Sequence, residues 1–445
     1  MTPASSGAPV LSPDFSGEPF WWEDARPSPD RCEDLPASCD VLVIGGGYAG
    51  LSCALALARG GASVIVADSE MAGFGGSSRN GGQANGGWNM IDLAAPDQGA
   101  MRARVESGLE SQGHFEELLA REGLYDCYEP VGKFVAAYVP RHYDTLRRKA
   151  EWASANGYLD AEEVAPENVH EEVGTEFYHG GVRFSRGGLV QPARLHAGLL
   201  ARVAAAGATV ASPVRIDGFR RVPGGYSVET TAGDIRCNNL VVTTNGYTGS
   251  ATPDLQRRVV PVASYIIATE PLADEVVDAL IPRRRAVSDT ARVLTYFRLS
   301  PDHRRMVFGG RASFASVSPE EGATGLHRMM TERFPHLRDV RVTHGWKGNV
   351  AFARDRLPHM GEADGLHWAL CCNGSGVVMM TYLGAKIAQR ILDRPNAPVC
   401  AFDGTGSANQ AFPAIPLYNG RPWFLPVIGL SYRLRDFVDR LQSAR

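Results

Sequence analysis

Residues 41–50, VLVIGGGYAG, constrain this 445-residue chain more tightly than any other stretch. Four apolar residues run straight into three glycines, and an uncharged, alanine- and leucine-rich segment follows. The uncharged run 41–58 approaches the length of a membrane span. Glycines after only four apolar residues instead read as strand, tight turn and helix. Residues 63–67, SVIVA, form a second strand, so the chain opens as a βαβ unit. Gly45, Gly47 and Gly50 hold the fixed positions of G-x-G-x-x-G. The first glycine allows the tight turn. The second lets a pyrophosphate approach the backbone beside Tyr48 and Ala49, and the third lets helix and strand pack closely. The helix N-terminus offers N–H groups and a positive dipole end. Asp68, at the end of the second strand with Ser69 beside it, supplies a carboxylate for an adenosine ribose. These features predict a dinucleotide site, and FAD and NAD both use the device.

A second loop, GFGGSSRNGGQ at 73–83, separates the two. A nicotinamide domain does not need another glycine-rich loop directly after the ribose-binding acid. A flavin is larger, and its ring must lie against backbone with polar groups at its edge, an approach that glycines permit.

GGGYAGL, Asp68 and GFGGSSRNGGQ together resemble the D-amino-acid oxidase/glycine oxidase superfamily of FAD enzymes. The RNGGQ form is most similar to gamma-glutamylputrescine oxidoreductases. The likeness continues in 187–200, 241–248, 259–272 and 372–388, and covers most of the chain from about residue 18. It implies an α/β chain (α+β overall), with a Rossmann-like FAD-binding domain interleaved with a mixed-sheet substrate domain. It also implies individual roles. Gly45, Gly47 and Gly50 would hold the pyrophosphate and Asp68 the ribose. Gly76, Ser77, Ser78, Arg79, Asn80, Gly81, Gly82 and Gln83 would line the flavin. Val214 would meet the adenine side, and Thr244, Asn245 and Gly246 match a second turn on the ADP side. Gly374, Ser375, Gly376 and Val377 match a loop at the flavin's pyrimidine end, where a helix N-terminus can stabilise negative charge.

The implied reaction moves a hydride equivalent from the carbon bearing a primary or secondary amine, or from an amino acid, to flavin N5. The imine then hydrolyses, as in polyamine or amino-acid catabolism. Such chemistry needs a neutral amine and a well-aimed C–H rather than a strong base. Two departures from the family pattern matter. The segment HGWKGNVAFARDRLPHMG (344–361) has no cysteine, so FAD is expected to be non-covalent. Residues 305–308, the approximate counterpart of an oxygen-activating lysine, are RMVF, so the electron acceptor is O2 or another molecule. An NAD(P)H-using flavin monooxygenase shares the first glycine motif, but no second dinucleotide motif is visible. Intact flavin loops argue against a non-catalytic dinucleotide-binding protein.

Strand–turn–helix units occur near both ends of the chain, with sheet-rich sequence between them. This predicts an FAD domain from 38–95, 186–257 and 345–395, and a substrate domain from 96–185 and 258–344. Residues 1–37 read as an extended arm anchored by Phe20, Trp21 and Trp22. In the tail 396–445, Leu434, Phe437, Val438 and Leu441 share a helical face expected to dock on the protein.

A net charge of −4 and a pI near 6.3 give no bulk drive toward nucleic acid or anionic membrane. The N-terminus lacks the basic start and apolar core of a signal peptide, and no membrane span is expected, so the reading is cytoplasmic. Eight scattered cysteines lack metal-ligand spacing, so no metal site is expected and the thiols read as free in a reducing compartment. The missing C-x-x-C also argues against a flavin disulfide reductase. Only four of 45 Lys+Arg residues are lysine: Lys133, Lys149, Lys347 and Lys386. Oligomeric state is left open.

The partner is a small amine or amino acid, and the inserted sheet should face it. Tyr265, Tyr296 and Arg298 lie on its strands, with Arg311 just beyond one. Tyr296 and Arg298 alternate and so share a face. An arginine there would bind a substrate carboxylate bidentately, with a solvated face or an ion pair as the competing reading. Trp346 would wall the pocket and Lys347 would stand near the flavin, with a structural role as the competing reading for each.

Overall fold

The opening strand–turn–helix forms at Ser38–Ile44, Tyr48–Arg59 and Val64–Ala67. In this computed structural model the described residues are 9–29, 35–158, 160–393, 398–405 and 412–443. Thr209–Ala211, Val64–Ala67, Ser38–Ile44 and Ile235–Val242 lie parallel in that order, and Leu366–Leu370 also pairs parallel with Ile235–Val242. Their apolar runs, such as Val41, Leu42 and Val43, are buried on both faces, as a parallel sheet requires. Helices Tyr48–Arg59 and Gly376–Asp393 pack directly against each other. Gly384 permits it, since a Cβ there would lie 2.1 Å from the Ala49 carbonyl oxygen.

The second sheet has nine strands. Their order is Leu11–Ser16, Val342–Phe352, Val260–Thr269, Met306–Gly310, Thr295–Leu299, Ala286–Asp289, Lys133–Ala136, Gly181–Phe184 and Ala161–Val164. Helix Pro319–Arg333 covers one face, burying Leu326 and Met330 against Tyr265, Ile267, Phe297 and Phe308. The other face looks toward the nucleotide domain. Antiparallel pairs point to a common face, so Ser264↔Gly348 turns toward the nucleotide domain and Tyr265↔Lys347 toward the helix.

Four expectations change here. Residues 11–16 of the arm form an edge strand of this sheet, so folded structure begins well before Cys39. Strand Val342–Phe352 stays paired with Val260–Thr269 as far as Phe352, so the chain does not return to the nucleotide domain at 345. Helix Gln98–Glu122 buries Phe115, Leu118 and Leu119 in the nucleotide-domain core, which shifts the expected boundary at 96. In helix Leu425–Ser443 the acidic side docks, not the apolar one. Asp436 accepts from the backbone N–H of Arg292 and Val293, and Asp439 pairs with the Arg292 and Arg141 guanidinium groups. Leu434 and Phe437 are left 61% and 59% exposed. The tail positions 396–397, 406–411 and 444–445 lie outside the described residues.

Candidate active site

A cavity of about 870 Å³ lies between the two sheets, and its lining includes Ser69, Val214, Lys149 and Arg311. The first glycine turn closes its nucleotide end. Gly45 has φ +106°, and a Cβ on Gly50 would lie 1.9 Å from the Gly45 carbonyl oxygen, so neither position accepts a side chain. Asp68 Oδ2 accepts from Gly46 N at 2.7 Å, and Val214 N donates to the Asp68 carbonyl at 2.6 Å. Burial pushes the Asp68 carboxyl up from its ordinary value. Ser77 Oγ accepts from Tyr48 N at 3.0 Å, at the start of the helix. These groups leave a backbone-lined cradle that fits a dinucleotide pyrophosphate and ribose.

The second loop is built differently. Three indole N–H groups hold its centre, each at 2.8 Å: Trp22 donates to Ser78 Oγ, Trp346 to Arg79 O and Trp21 to Asn80 O. Arg79 lies over the rings of Trp22 and Phe74 at 4.6 and 4.1 Å. Several of the glycines clear protein side chains. A Cβ at Gly73 would lie 2.5 Å from the His196 ring, and one at Gly81 2.5 Å from the Tyr296 ring. Burial holds His196 below its usual pKa, and its Nε2 lies 2.7 Å from the Gly46 carbonyl, so this ring joins the two loops. Gly76, Ser77, Arg79, Asn80, Gly81 and Gln83 face the cavity. Ser78 and Gly82 do not. Ser78 Oγ is spent on Trp22 and on the Gly73 carbonyl, and Gly82 lies under the Val190 carbonyl.

Thr244, Asn245, Gly374, Gly376 and Val377 also line the cavity. Asn245 Oδ1 accepts from Cys371 N at 3.0 Å, tying this turn to the C-terminal loop. Gly246 packs under Asn349, where a Cβ would meet the carbonyl oxygen at 2.8 Å. Ser375 lies in a small side chamber and accepts from Asn89 Nδ2 at 3.2 Å.

For the residues expected to meet a substrate the outcome divides. Tyr296 and Arg311 line the cavity. Tyr296 Oη is 3.1 Å from Ser264 Oγ, its ring fits between Gly81 and Gly309, and burial pushes its hydroxyl up to about 12. The Arg311 guanidinium lies 5.0 Å over the Phe352 ring, has no hydrogen-bond or ion-pair partner among the described residues, and is lowered by burial. Arg298 shares Tyr296's face but is buried. Its guanidinium donates to the carbonyls of Val190 and Leu299 at 2.7 Å, so it braces the loops rather than offering a free fork. Tyr265 points into the helix-covered core, its hydroxyl accepting from Val317 N at 2.8 Å. Lys347 points the same way and donates to Ser316 Oγ at 2.9 Å. Trp346 is a buried strut behind Arg79.

Sequence reading did not single out Lys133 and Lys149 as site residues, and both line the cavity. Burial pulls the Lys133 ammonium down to about 8, and no hydrogen-bond or ion-pair partner compensates it among the described residues. Burial also lowers Lys149, with Asp92 opposing. Their signal was rarity, since two of only four lysines in an arginine-rich chain meet in one cavity. Asp289, a carboxylate that also lines the cavity, is occupied by Arg333 and Thr295 at 2.9 and 2.6 Å.

The cradle, second loop and C-terminal helix start define an FAD-dependent oxidoreductase, and comparison with known proteins agrees. Residues 40–390 match the DAO family, FAD dependent oxidoreductase, and the chain belongs to that family. It is 29% identical to gamma-glutamylputrescine oxidoreductase of Escherichia coli (strain K12), over 91% of this chain and 93% of that protein. It is 30% identical to the probable oxidoreductase OrdL of Rhizobium meliloti (strain 1021), over 86% and 90% respectively. Among solved structures, glycine oxidase from Geobacillus kaustophilus superposes with a TM-score of 0.71 at 19% identity, covering 85% of this chain and 99% of that one. No helix among the described residues is long and apolar enough to cross a membrane.

Proposed function

We propose that the protein oxidises the carbon–nitrogen bond of a primary or secondary amine or an amino acid, with Tyr296 and Arg311 facing the reacting end of the substrate. The observation that carries this reading is one continuous cavity. A dinucleotide cradle opens into a space walled by an antiparallel sheet that presents Tyr296 and the Arg311 guanidinium, which is unpaired among the described residues. FAD, when bound, supplies a two-electron acceptor for the hydride.

The chain's own residues supply geometry and electrostatics. Gly45, Gly47 and Asp68 would hold the nucleotide half, and Ser77, Asn80 and Gln83 the ring. The N-terminus of helix Gly376–Asp393 brings a positive dipole end to the cavity, suited to negative charge there. Tyr296, fixed by Ser264 and its flanking glycines, would orient the substrate. Arg311 would hold a carboxylate where the substrate is an amino acid. Its charge also disfavours an ammonium beside it, which favours the neutral amine that hydride transfer needs. Among the described residues the carboxylate lining the cavity beside Tyr296 is Asp289, already paired with Arg333, in keeping with a reaction that asks for positioning rather than a strong base.

Product analysis tests the reading. A competent acyclic amine should yield a carbonyl compound and a released amine or ammonia, and a cyclic one its cyclic imine or ring-opened amino carbonyl, in step with flavin reduction. Arg311→Met should raise KM for amino acids about 10- to 100-fold, the worth of one charge-assisted pair. Flavin reduction without formation of an imine or its hydrolysis products would overturn the proposal.

A further inference from the structure

We infer that the outward face of helix Leu425–Ser443 is a docking surface for a membrane bearing anionic lipids. The helix lies on that surface and does not cross it. The inference goes beyond the oxidation chemistry and does not depend on which amine reacts.

Three observations carry it. First, the helix wears its apolar residues on the outside. Leu425, Gly429, Asp436 and Asp439 are buried, the two aspartates against Arg292 and Arg141. Val427, Leu430, Leu434, Phe437 and Leu441 are each more than half exposed. Their alternating spacing of three and four residues makes one stripe. At about 100° per residue, its centre lies on the far side of the helix from the four buried residues. Trp423, also exposed, stands just before the helix.

Second, the rim of the stripe is basic. Arg433, Arg435 and Arg440 flank it, Arg421 precedes the helix, and all four are exposed. Arg433 donates to the Ala312 carbonyl at 2.8 Å, and Arg440 lies 4.5 Å over the Phe177 ring. Neither contact neutralises the charge. The helix's two carboxylates, Asp436 and Asp439, both face inward, so its outer surface carries arginines alone. The whole chain, at −4, has no bulk attraction to an anionic surface, which makes this basic rim a local feature.

Third, the charge pattern selects the occupant. Pairing this face with a second copy about a two-fold axis would set arginine rims against each other, with no carboxylate of the helix between them. Like charges opposed across an interface cost affinity. A lipid surface meets both parts of the pattern. Its acyl boundary takes the Val, Leu and Phe side chains, and its anionic headgroups meet the arginines, as for a helix lying in the interface plane. The inner side of the same helix packs on Phe314 and binds Arg292. These neighbour the cavity residues Arg311 and Leu294 in sequence, so docking would keep that part of the cavity near the lipid.

The test is flotation of the FAD-loaded full chain with vesicles of phosphatidylcholine, alone or mixed with phosphatidylglycerol. Wild type should float with the mixed vesicles and at least roughly 10-fold less with pure phosphatidylcholine, a difference that high salt removes. Two variants divide the surface. Leu434→Ser with Phe437→Ser removes apolar anchors and should lower binding to mixed vesicles roughly 10-fold or more. Arg435→Gln should lower it about five-fold, and only at low salt. Tm and FAD content are measured first. If the serine variant melts early, Arg435→Gln decides alone. Wild type that floats with neither vesicle, or equally with both, would overturn the inference. So would variants that bind as wild type does. A wild-type dimer in light scattering that the serine variant turns into a monomer would give this face to a second copy and overturn it as well.

Discussion

The two glycine-rich loops look alike in sequence and are built on opposite principles. In residues 45–50 the first and last glycines answer to the loop's own backbone, while Cβ atoms at Gly46 and Gly47 would meet Ala72 and Ser77. Gly45 needs a positive φ, and Gly50 needs bare backbone because the Gly45 carbonyl lies where its Cβ would be. In residues 73–83 most of the close clearances belong to remote side chains: Gly73 to His196, Gly75 to Tyr247 and Gly81 to Tyr296. Three indoles from residues 21, 22 and 346 then hold the loop in place. A motif whose constraints are local can be read from a short window. A loop held from elsewhere can be recognised as glycine-rich, but its reasons lie elsewhere in the chain.

The largest effect should come from the local loop. Gly50→Val drives side-chain atoms into the Gly45 carbonyl and should cost more than ~3 kcal/mol, with FAD binding lost. Soluble, FAD-replete Gly50→Val would break the comparison. Gly81→Ala comes next. Its methyl would lie 2.5 Å from the Tyr296 ring, so about 1–3 kcal/mol should be lost together with FAD occupancy. Tyr296→Ala in the same chain should restore part of the Tm, a coupling that thermal melts of the double-mutant cycle would read. Additive losses would mean that Gly81 serves the cofactor alone. Trp346→Phe keeps the ring packing but removes the N–H donor to Arg79 O. It should cost about 1 kcal/mol and weaken FAD binding, since the loop it holds lines the cavity. Unchanged FAD affinity would demote the indole struts to simple core packing.

The smallest effect is a pH dependence. The Lys133 ammonium is lowered from 10.5 to about 8 by burial. Between those values the unfolded chain binds more protons than the folded one, so this residue makes stability rise with pH across that window. Below about pH 8 both states are protonated and the full burial penalty applies. Lys133→Met should therefore flatten the rise in urea-unfolding free energy between these two pH values relative to wild type. Parallel curves would show that the lysine is solvated.

The same distinction explains what was legible. The βαβ opening, Asp68, the C-terminal helix start and the hairpin at 300–303 follow from short windows of sequence. Tyr296, on a strand, and Arg311, just beyond one, do face the cavity. Alternation failed for Tyr265 because it does not say which sheet face is covered, and helix Pro319–Arg333 covers that one. Arg298 has the expected orientation, but the carbonyls of Val190 and Gly82, more than 100 residues away, use its guanidinium. Lys133 was passed over because a lone lysine in a strand carries no pattern. Only the fold places it beside Gln83 and Gly374. The tail helix was misread because its apolar stripe outweighed two aspartates that meet Arg292 and Arg141.

The central claim is that both loops serve one flavin that takes electrons from an amine. Anaerobic stopped-flow mixing of the FAD-loaded protein with glutamylated polyamines, N-methyl amino acids, cyclic imino acids and D-amino acids tests it directly. The flavin absorbance should bleach with at least one of these amines and stay unchanged with NADH or NADPH. A flavin that every amine leaves oxidised, and that NADH or NADPH bleaches rapidly, would contradict it.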